Sequence, residues 1–451
     1  MTEDYLEQYE RQTPGSKRIH ERAREYTPGG LSHDARYHSP YPIYMSSAKG
    51  CRVWDVDSNE YFDLWMAHYD AILGHSPPEV LEELKRAMMD GLHVGLAMEH
   101  EVRLAKRVVD MVPGVDQVRF CSSGTEATMY AVRLARGFTG RNVIIKMVGG
   151  WHGSNTDLMV DVRPPEYIGP ECRGLPPDLG RYTRSVEFND IKSMERLMDE
   201  VGDDLAAVIM EPALGPAGFL KAEPEYVKFL KEQTKYKGAL LIFDEVITGF
   251  RLAPGGAQEV YGIKPDLTTM GKILGGGMPI GAVGGRKEIM ERSSVTRSGG
   301  KMNRVAIGGG TYSCNPLSMI AGRVTLDILR DQKHRIYPAL ENANRLYCEG
   351  VEEAFANVGI PVFANQFGSL NEVHFLREHG LPVRNMAEVL RHTNREMQAE
   401  YLVRLRNHGL FLFHGGAFSM AHQPGDIQEM LAINRRVADE MARKWVDSDT
   451  F

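Results

Sequence analysis

Between about residue 100 and residue 290, short apolar runs (QVRFCS, NVIIKM, AAVIME, ALLIFD, LTTMG and GAVGG) alternate with stretches of helical periodicity. No other feature of the 451-residue chain restricts its fold so strongly. Runs that are apolar throughout belong to strands buried on both faces, and strands separated by helices join in parallel. The pattern predicts an α/β domain with a mainly parallel sheet covered by helices. In such sheets ligands gather at the C-terminal ends of the strands, so the residues that close each run are the first candidates for chemistry.

The length exceeds what one compact core holds and predicts a second, smaller unit. Residues 1 to about 40 read as a polar helical lead followed by an irregular stretch, TPGGLSHDARYHSPYP. Cys51 to Asp63, CRVWDVDSNEYFD, alternates as a short antiparallel hairpin does. Beyond about 330 come an amphipathic helical run, two strands, the second at NEVHFL, and a final helix rich in Arg and Glu, which together read as α+β. The expected division is 76–330 for the large domain, with 1–75 and 331–451 as the two parts of the small one. Arg163 to Gly180, with five prolines, reads as a lid or as a passive surface loop.

Asp and Glu outnumber Lys and Arg by 60 to 53, a net charge of −7. That sign disfavours nonspecific attraction to nucleic acid or anionic membrane. The start, MTEDYLEQYERQ, lacks the apolar core of a signal peptide, and no apolar run is long enough to span a bilayer. The cysteines at 51, 121, 172, 314 and 348 are scattered and never form CxxC. Neither a disulfide framework nor a zinc ribbon is expected, which fits a reducing cytoplasm.

Three segments carry candidate chemistry. In CSSGTEATMYAVRLARGFTG a helix is expected to start near Thr125, directly after a strand. Ser122, Ser123, Gly124 and Thr125 then lie where unpaired N–H groups and the helix dipole favour an anion, although a Ser cap beside a turn glycine has the same pattern. In ALLIFDEVITGFR a strand delivers Asp244 and Glu245 at its end. Such acids bind a metal, cap a helix or, facing an aromatic cofactor, keep a ring nitrogen protonated so that the ring acts as an electron sink. Val246 would press one face of that ring. In DLTTMGKILGGGMPIGAVGG, Lys272 follows a strand in apolar, Gly-rich surroundings. Desolvation there favours the neutral amine that attacks an aldehyde, whereas a solvated lysine is the ordinary alternative. Gly271-Lys272 and Gly300-Lys301 lack the Ser or Thr of a P-loop, Gly275 to Gly281 does not satisfy GxGxxG, and His100-Glu101 lacks the second His of HExxH. No metal is expected.

Taken in order, SSGTEA, the WHG at Trp151 to Gly153, EP at Glu211, FDEVITGFR, GKILGGGMPIGA and GGTYSCNP closely resemble the class III aminotransferases of PLP fold type I. The similarity is nearest to the glutamate-1-semialdehyde 2,1-aminomutases and their aminotransferase relatives, and extends from about Pro28 to about Ile427. It implies a pyridoxal 5′-phosphate (PLP) enzyme with a large PLP-binding domain and a small domain built from both chain ends. Lys272 would be the Schiff-base lysine, Asp244 the partner of the pyridine nitrogen, and Ser123, Gly124 and Thr125 the phosphate site. Trp151 stands where the family has a Tyr or Phe stacked on the ring, and Glu211 would border the cofactor. Thr311 would reach the phosphate of the neighbouring subunit in a homodimer with shared active sites. Arg36 matches a family arginine that binds a substrate carboxylate, and a planar guanidinium suits that task.

Two departures concern the substrate. Where aminomutases carry Ser-Trp-Gly-Pro before ILGH, this chain has Ala67, His68, Tyr69 and Asp70, so His68 and Tyr69 become candidate substrate contacts. The family's SAFEAGFMS-like segment is shortened here to HGGAFSMAH, His414 to His422, without the glutamate. The expected activity is ping-pong transfer of an amino group from a donor to a keto or aldehyde acceptor, with Lys272 moving the proton. The alternatives are intramolecular transfer, as in an aminomutase, and a non-catalytic PLP-fold binding protein.

Overall fold

The computed structural model describes residues 5–162, 171–297 and 300–446, so part of the expected lid, 163–170, lies outside the described residues. The chain divides into two compact units, 78–338 with 382–391, and 1–77 with 339–381 and 392–451.

The central unit is built on a seven-stranded sheet in the order Gln117–Cys121, Gly281–Gly285, Leu267–Gly271, Leu240–Asp244, Leu205–Met210, Val143–Met147, Thr183–Val186. Gly281–Gly285 runs antiparallel to both neighbours, and the other pairings are parallel. Its five inner strands are buried at every residue, which is why their sequences are mostly apolar rather than alternating. The helix Gly124–Thr139 lays Ala127, Ala131, Leu134 and Ala135 against Ile144, Ala207, Ile242, Leu267 and Val283. Small alanines on that face let the helix approach the strands closely. The edge strand Thr183–Val186, sequence TRSV, lies outside the apolar runs. Among the described residues it pairs on one side only, with Val143–Met147, so it needs no continuous apolar sequence.

In the other unit the hairpin Arg52–Asp55 and Glu60–Asp63 takes Met45–Lys49 on one side. On its other side Leu410–Phe411 adds in parallel to Glu60–Asp63, joining the two ends of the chain in one sheet. A three-stranded sheet follows, Val362–Phe367, Leu370–Phe375 and Gly416–Ala417. Among the described residues no helix is long and apolar enough to cross a membrane.

After Asp63 this unit contains a conformation the sequence does not announce. Met66, Ala67, His68 and Tyr69 have φ of 43°, 54°, 62° and 69°. Tyr69 N–H donates to Trp65 C=O at 2.9 Å, and Asp70 N–H to Met66 C=O at 2.9 Å. This is one turn of left-handed helix made from residues with side chains, at a cost of about 1–2 kcal/mol each. Asp63 holds its entry, accepting from Trp65 N–H at 2.7 Å and Met66 N–H at 3.1 Å, while its other oxygen lies 2.7 Å from His75 Nε2. Burial of Met66 and Tyr69 offsets part of the cost. Ala67 is exposed, so Ala67→Gly removes strain without removing packing. That variant is expected to be more stable by about 1 kcal/mol, read as a higher urea midpoint; an unchanged or lower midpoint would contradict a strained turn.

Candidate active site

The strand ends converge on the start of the helix Gly124–Thr139. A β-carbon placed on Gly124 would lie 3.1 Å from Val246 Cγ1, and one on Gly271, just before Lys272, 3.4 Å from the same atom. Val246 therefore stands between the helix terminus and the lysine. Gly281 passes so close beneath Ser123 that a side chain there would collide with its carbonyl oxygen.

Ser123 caps the helix, its hydroxyl accepting from Glu126 N–H at 3.2 Å, and Glu126 Oε2 in return accepts from Ser122 N–H at 2.8 Å. This reciprocal cap leaves the N–H groups of Gly124 and Thr125, the first two helical residues, with no intrahelical acceptor at the positive end of the dipole. Thr125 Oγ1 accepts from Ser154 N–H at 3.2 Å. Gly153, at φ 74°, is required beside it, because a side chain would overlap Thr125 Oγ1.

Asp244 ends its strand 4% exposed. Its Oδ2 lies 2.7 Å from His152 Nδ1, and its Oδ1 accepts from the Thr269 hydroxyl at 2.9 Å and Val246 N–H at 3.2 Å. Burial lowers the pKa of His152, with Asp244 opposing the shift; a neutral imidazole protonated on Nδ1 donates to the carboxylate and fixes its plane. A carboxylate offers about four acceptor positions. Three are taken by these donors, so one remains for a ring N–H. Asp244 and Thr269 are register partners on adjacent strands, and Lys272 follows three residues later, half-buried with φ 46° at the start of the turn Lys272–Gly275.

Glu211 and Lys146 grip one peptide. Glu211 Oε1 accepts from Trp151 N–H at 2.8 Å, and Lys146 Nζ donates to Gly150 C=O at 2.9 Å, the other half of the same amide, and to Val160 C=O at 2.6 Å. The backbone of Trp151 is thus fixed while its side chain stays 41% exposed. Burial, and then the charge of Asp244, push Glu211 from 4.5 up to about 8, and burial brings Lys146 down to about 8. A raised carboxyl pKa means the fold favours the neutral acid. Its contribution to stability is complete below pH 4.5 and is lost as pH rises through about 8. Glu211→Gln keeps the acceptor for Trp151 without the titration. Its stability is expected to match the parent near pH 5 and exceed it above pH 8 in urea melts; parallel profiles would refute this.

Ser123, Gly124, Thr125, Trp151, Glu211, Asp244, Val246 and Lys272 all belong to the central unit. So does Thr311, which is exposed and follows Gly310, where an added β-carbon would lie 3.3 Å from Glu126 Oε1. Arg36, His68 and Tyr69 belong to the other unit. Sequence reasoning did not assign roles to His152, Thr269 or Lys146. A histidine directly after Trp151 and a lysine inside the apolar run VIIKM were the available signals. Among the described residues no group of three or more His, Cys, Asp or Glu gathers as a metal cluster would.

Comparison with known proteins identifies this arrangement. Residues 33–348 match the model of the family described as aminotransferase class-III. The chain belongs to the class III aminotransferases. It is 39% identical over 421 residues to the glutamate-1-semialdehyde 2,1-aminomutase of Syntrophobacter fumaroxidans, covering 91% of this chain and 94% of that one. Among solved structures it resembles an omega-transaminase from Sphaerobacter thermophilus, with a TM-score of 0.88, 33% identity, and coverage of 95% and 98%. A transaminase with PLP bound gives a TM-score of 0.86 at 30% identity, covering 96% and 99%.

Class III aminotransferases of this fold, PLP fold type I, are PLP-dependent enzymes, and so is this chain. The residues fit the cofactor: two unpaired N–H groups at a helix terminus for the phosphate, a remaining acceptor position on buried Asp244 for the ring nitrogen, and Lys272 on the adjoining strand end.

Proposed function

We propose that this class III aminotransferase moves an amino group between two molecules, a donor amine and a keto or aldehyde acceptor. The observation that carries the reading is a contrast. The helix terminus, Asp244 with His152, and Lys272 together supply the groups the chemistry needs, whereas the departures from the aminomutase pattern fall in Ala67–Asp70 and His414–His422, segments that the resemblance assigns to substrate contacts. Altered substrate contacts on intact chemistry favour a different substrate rather than lost activity.

Bound PLP supplies an aldehyde that condenses with amines and a ring that withdraws electrons from the carbon bearing the nitrogen. Gly124 and Thr125 would donate N–H groups to the phosphate from a terminus that Ser123 caps. Asp244, oriented by His152 and Thr269, would hold a proton on the ring nitrogen. Trp151 and Val246 would contact the ring, with Glu211 and Lys146 fixing the Trp151 backbone. Lys272 would be the covalent anchor, and its Nζ, once free, would take up and return the proton at the donor's reacting carbon. Arg36 takes a substrate carboxylate, and His68 and Tyr69 contact the rest of the substrate.

A homodimer is part of this reading, with Thr311 directed to the partner's phosphate. Leu92, Val94, Leu96 and Val102 are 61%, 42%, 79% and 65% exposed, and Tyr312 beside Thr311 is 64% exposed. An apolar surface of that extent favours a protein partner. Free cysteines, three of them buried, support a reducing, cytoplasmic setting.

Turnover separates the candidates. With a donor amine, repeated cycles are expected only when pyruvate or 2-oxoglutarate is added. Sustained conversion of glutamate-1-semialdehyde alone, with no acceptor, would establish the aminomutase instead. Light scattering is expected to give twice the 50.5 kDa chain mass, and a monomeric active enzyme would refute the shared site.

A further inference from the structure

We infer that Tyr130, Arg133 and Gly137 are positioning residues of the phosphate site: they lay the segment 305–310 along the helix Gly124–Thr139 and so seat Gly310 on the cap of its N-terminus. The inference rests on the phosphate-site reading above and adds residues that act on that site from within the same unit.

The helix meets the segment at four places. A β-carbon on Gly137 would collide with Val305 Cγ2, so the segment passes directly over that glycine. Arg133 Nη1 donates to Ala306 C=O at 2.9 Å. Tyr130 Oη accepts from Gly309 N–H at 3.2 Å. Gly310 ends the line, where an added β-carbon would stand 3.3 Å from Glu126 Oε1 and 3.7 Å from Ser122 Oγ. Residues 126, 130, 133 and 137 recur at steps of four and three, which places them in one stripe along a helix. The helix numbers fall as the segment numbers rise, so the two run antiparallel. Between Glu126 and Gly137 the helix rises about 16 Å, and a chain drawn out from residue 305 to residue 310 covers about the same distance. That match leaves the segment little slack, so each hold counts.

The segment has no helix or strand of its own, so its course is imposed by these contacts. Val305 and Ile307 bury its first half in the cluster that holds Tyr130, with Phe138 packed against it. Its end lies on Glu126, whose Oε2 closes the cap by accepting from Ser122 N–H at 2.8 Å. Gly310 stands beside the other oxygen. Backbone pressed there keeps the carboxylate in its capping position, and the cap fixes where the Gly124 and Thr125 N–H groups point. Hydrogen bonds to an anion weaken steeply when the donors turn away. One helix thus carries the phosphate donors at its end and, along its side, the support for their cap.

Pyridoxal, which has the aldehyde and ring of PLP without the phosphate, isolates the effect. The full chain is titrated with PLP and with pyridoxal, and the ratio of the two affinities is read. Tyr130→Phe keeps the buried ring and loses the acceptor for Gly309, a half-buried residue whose N–H water can take up. Gly137→Ala moves Val305 without changing any charge, and Arg133→Met removes a further hold from an exposed position. Each is expected to weaken PLP about fivefold, the weight of one hydrogen bond, and to leave pyridoxal unchanged. The same selective loss should persist in a Thr311→Ala background. Equal weakening of both ligands would mark a merely structural role and overturn the inference, as would an unchanged ratio in Tyr130→Phe or in Gly137→Ala. A loss that vanishes with Thr311→Ala would also overturn it, because the segment would then act through Thr311. A parent that binds PLP and pyridoxal equally would instead overturn the phosphate-site reading beneath it.

Discussion

Lys272→Ala is expected to lower amino-group exchange by a factor on the order of 10⁴ or more, because it removes both the covalent anchor and the proton carrier. Structure should be little affected. The side chain is half-buried, and alanine inherits the same φ of 46°, so the backbone penalty is unchanged. PLP should still bind through the helix terminus and Asp244, but borohydride should no longer fix it to the protein. Peptide mapping of the reduced parent enzyme should place the label on residue 272. A label elsewhere, or a variant that still exchanges amines at the parent rate, would remove Lys272 from its role.

Asp244→Asn isolates charge from shape. The amide oxygen still accepts from Val246 N–H and the Thr269 hydroxyl, whose bonds to Asp244 Oδ1 measure 3.2 and 2.9 Å. His152 can turn its tautomer to accept from the new amide. What disappears is the negative charge that keeps the ring nitrogen protonated. The loss of one preorganised electrostatic partner costs about 10²- to 10³-fold in kcat, with the unfolding midpoint nearly unchanged. A variant within threefold of the parent would show that the carboxylate does not face the ring.

Much of the central unit was legible because its constraint is repetitive. Strands buried on both faces are mostly apolar, and VIIKM, LAAVIM and LLIFD say so without help from distant parts of the chain, with Lys146 and the strand-end Asp244 as their charged exceptions. TRSV escaped the same reading, since a strand paired on one side only tolerates polar residues. The helix terminus was legible through its Ser-Gly-Thr sequence, but not the division of its N–H groups: Glu126 takes that of Ser122, a contact made across a turn. His152 escaped notice as a support for Asp244 because the two are 92 residues apart, and only the order of strands brings them together. The left-handed turn was invisible for a different reason. Met-Ala-His-Tyr carries no glycine or asparagine to advertise positive φ, and the conformation is imposed from outside, by Asp63 and by burial.

The single reversed strand, Gly281–Gly285, bears on how the catalytic amine moves. Gly271 and Gly281 are register partners, so the nine residues between them leave and re-enter the sheet at adjacent points, a closed hairpin tip with Lys272 at its root. A side chain mounted in this way is anchored at both ends of its own loop to the stiffest part of the molecule. Displacing it requires opening the strand pairing at that point, so the approach of reactants during turnover is expected to be made by the substrate and the elements that carry it.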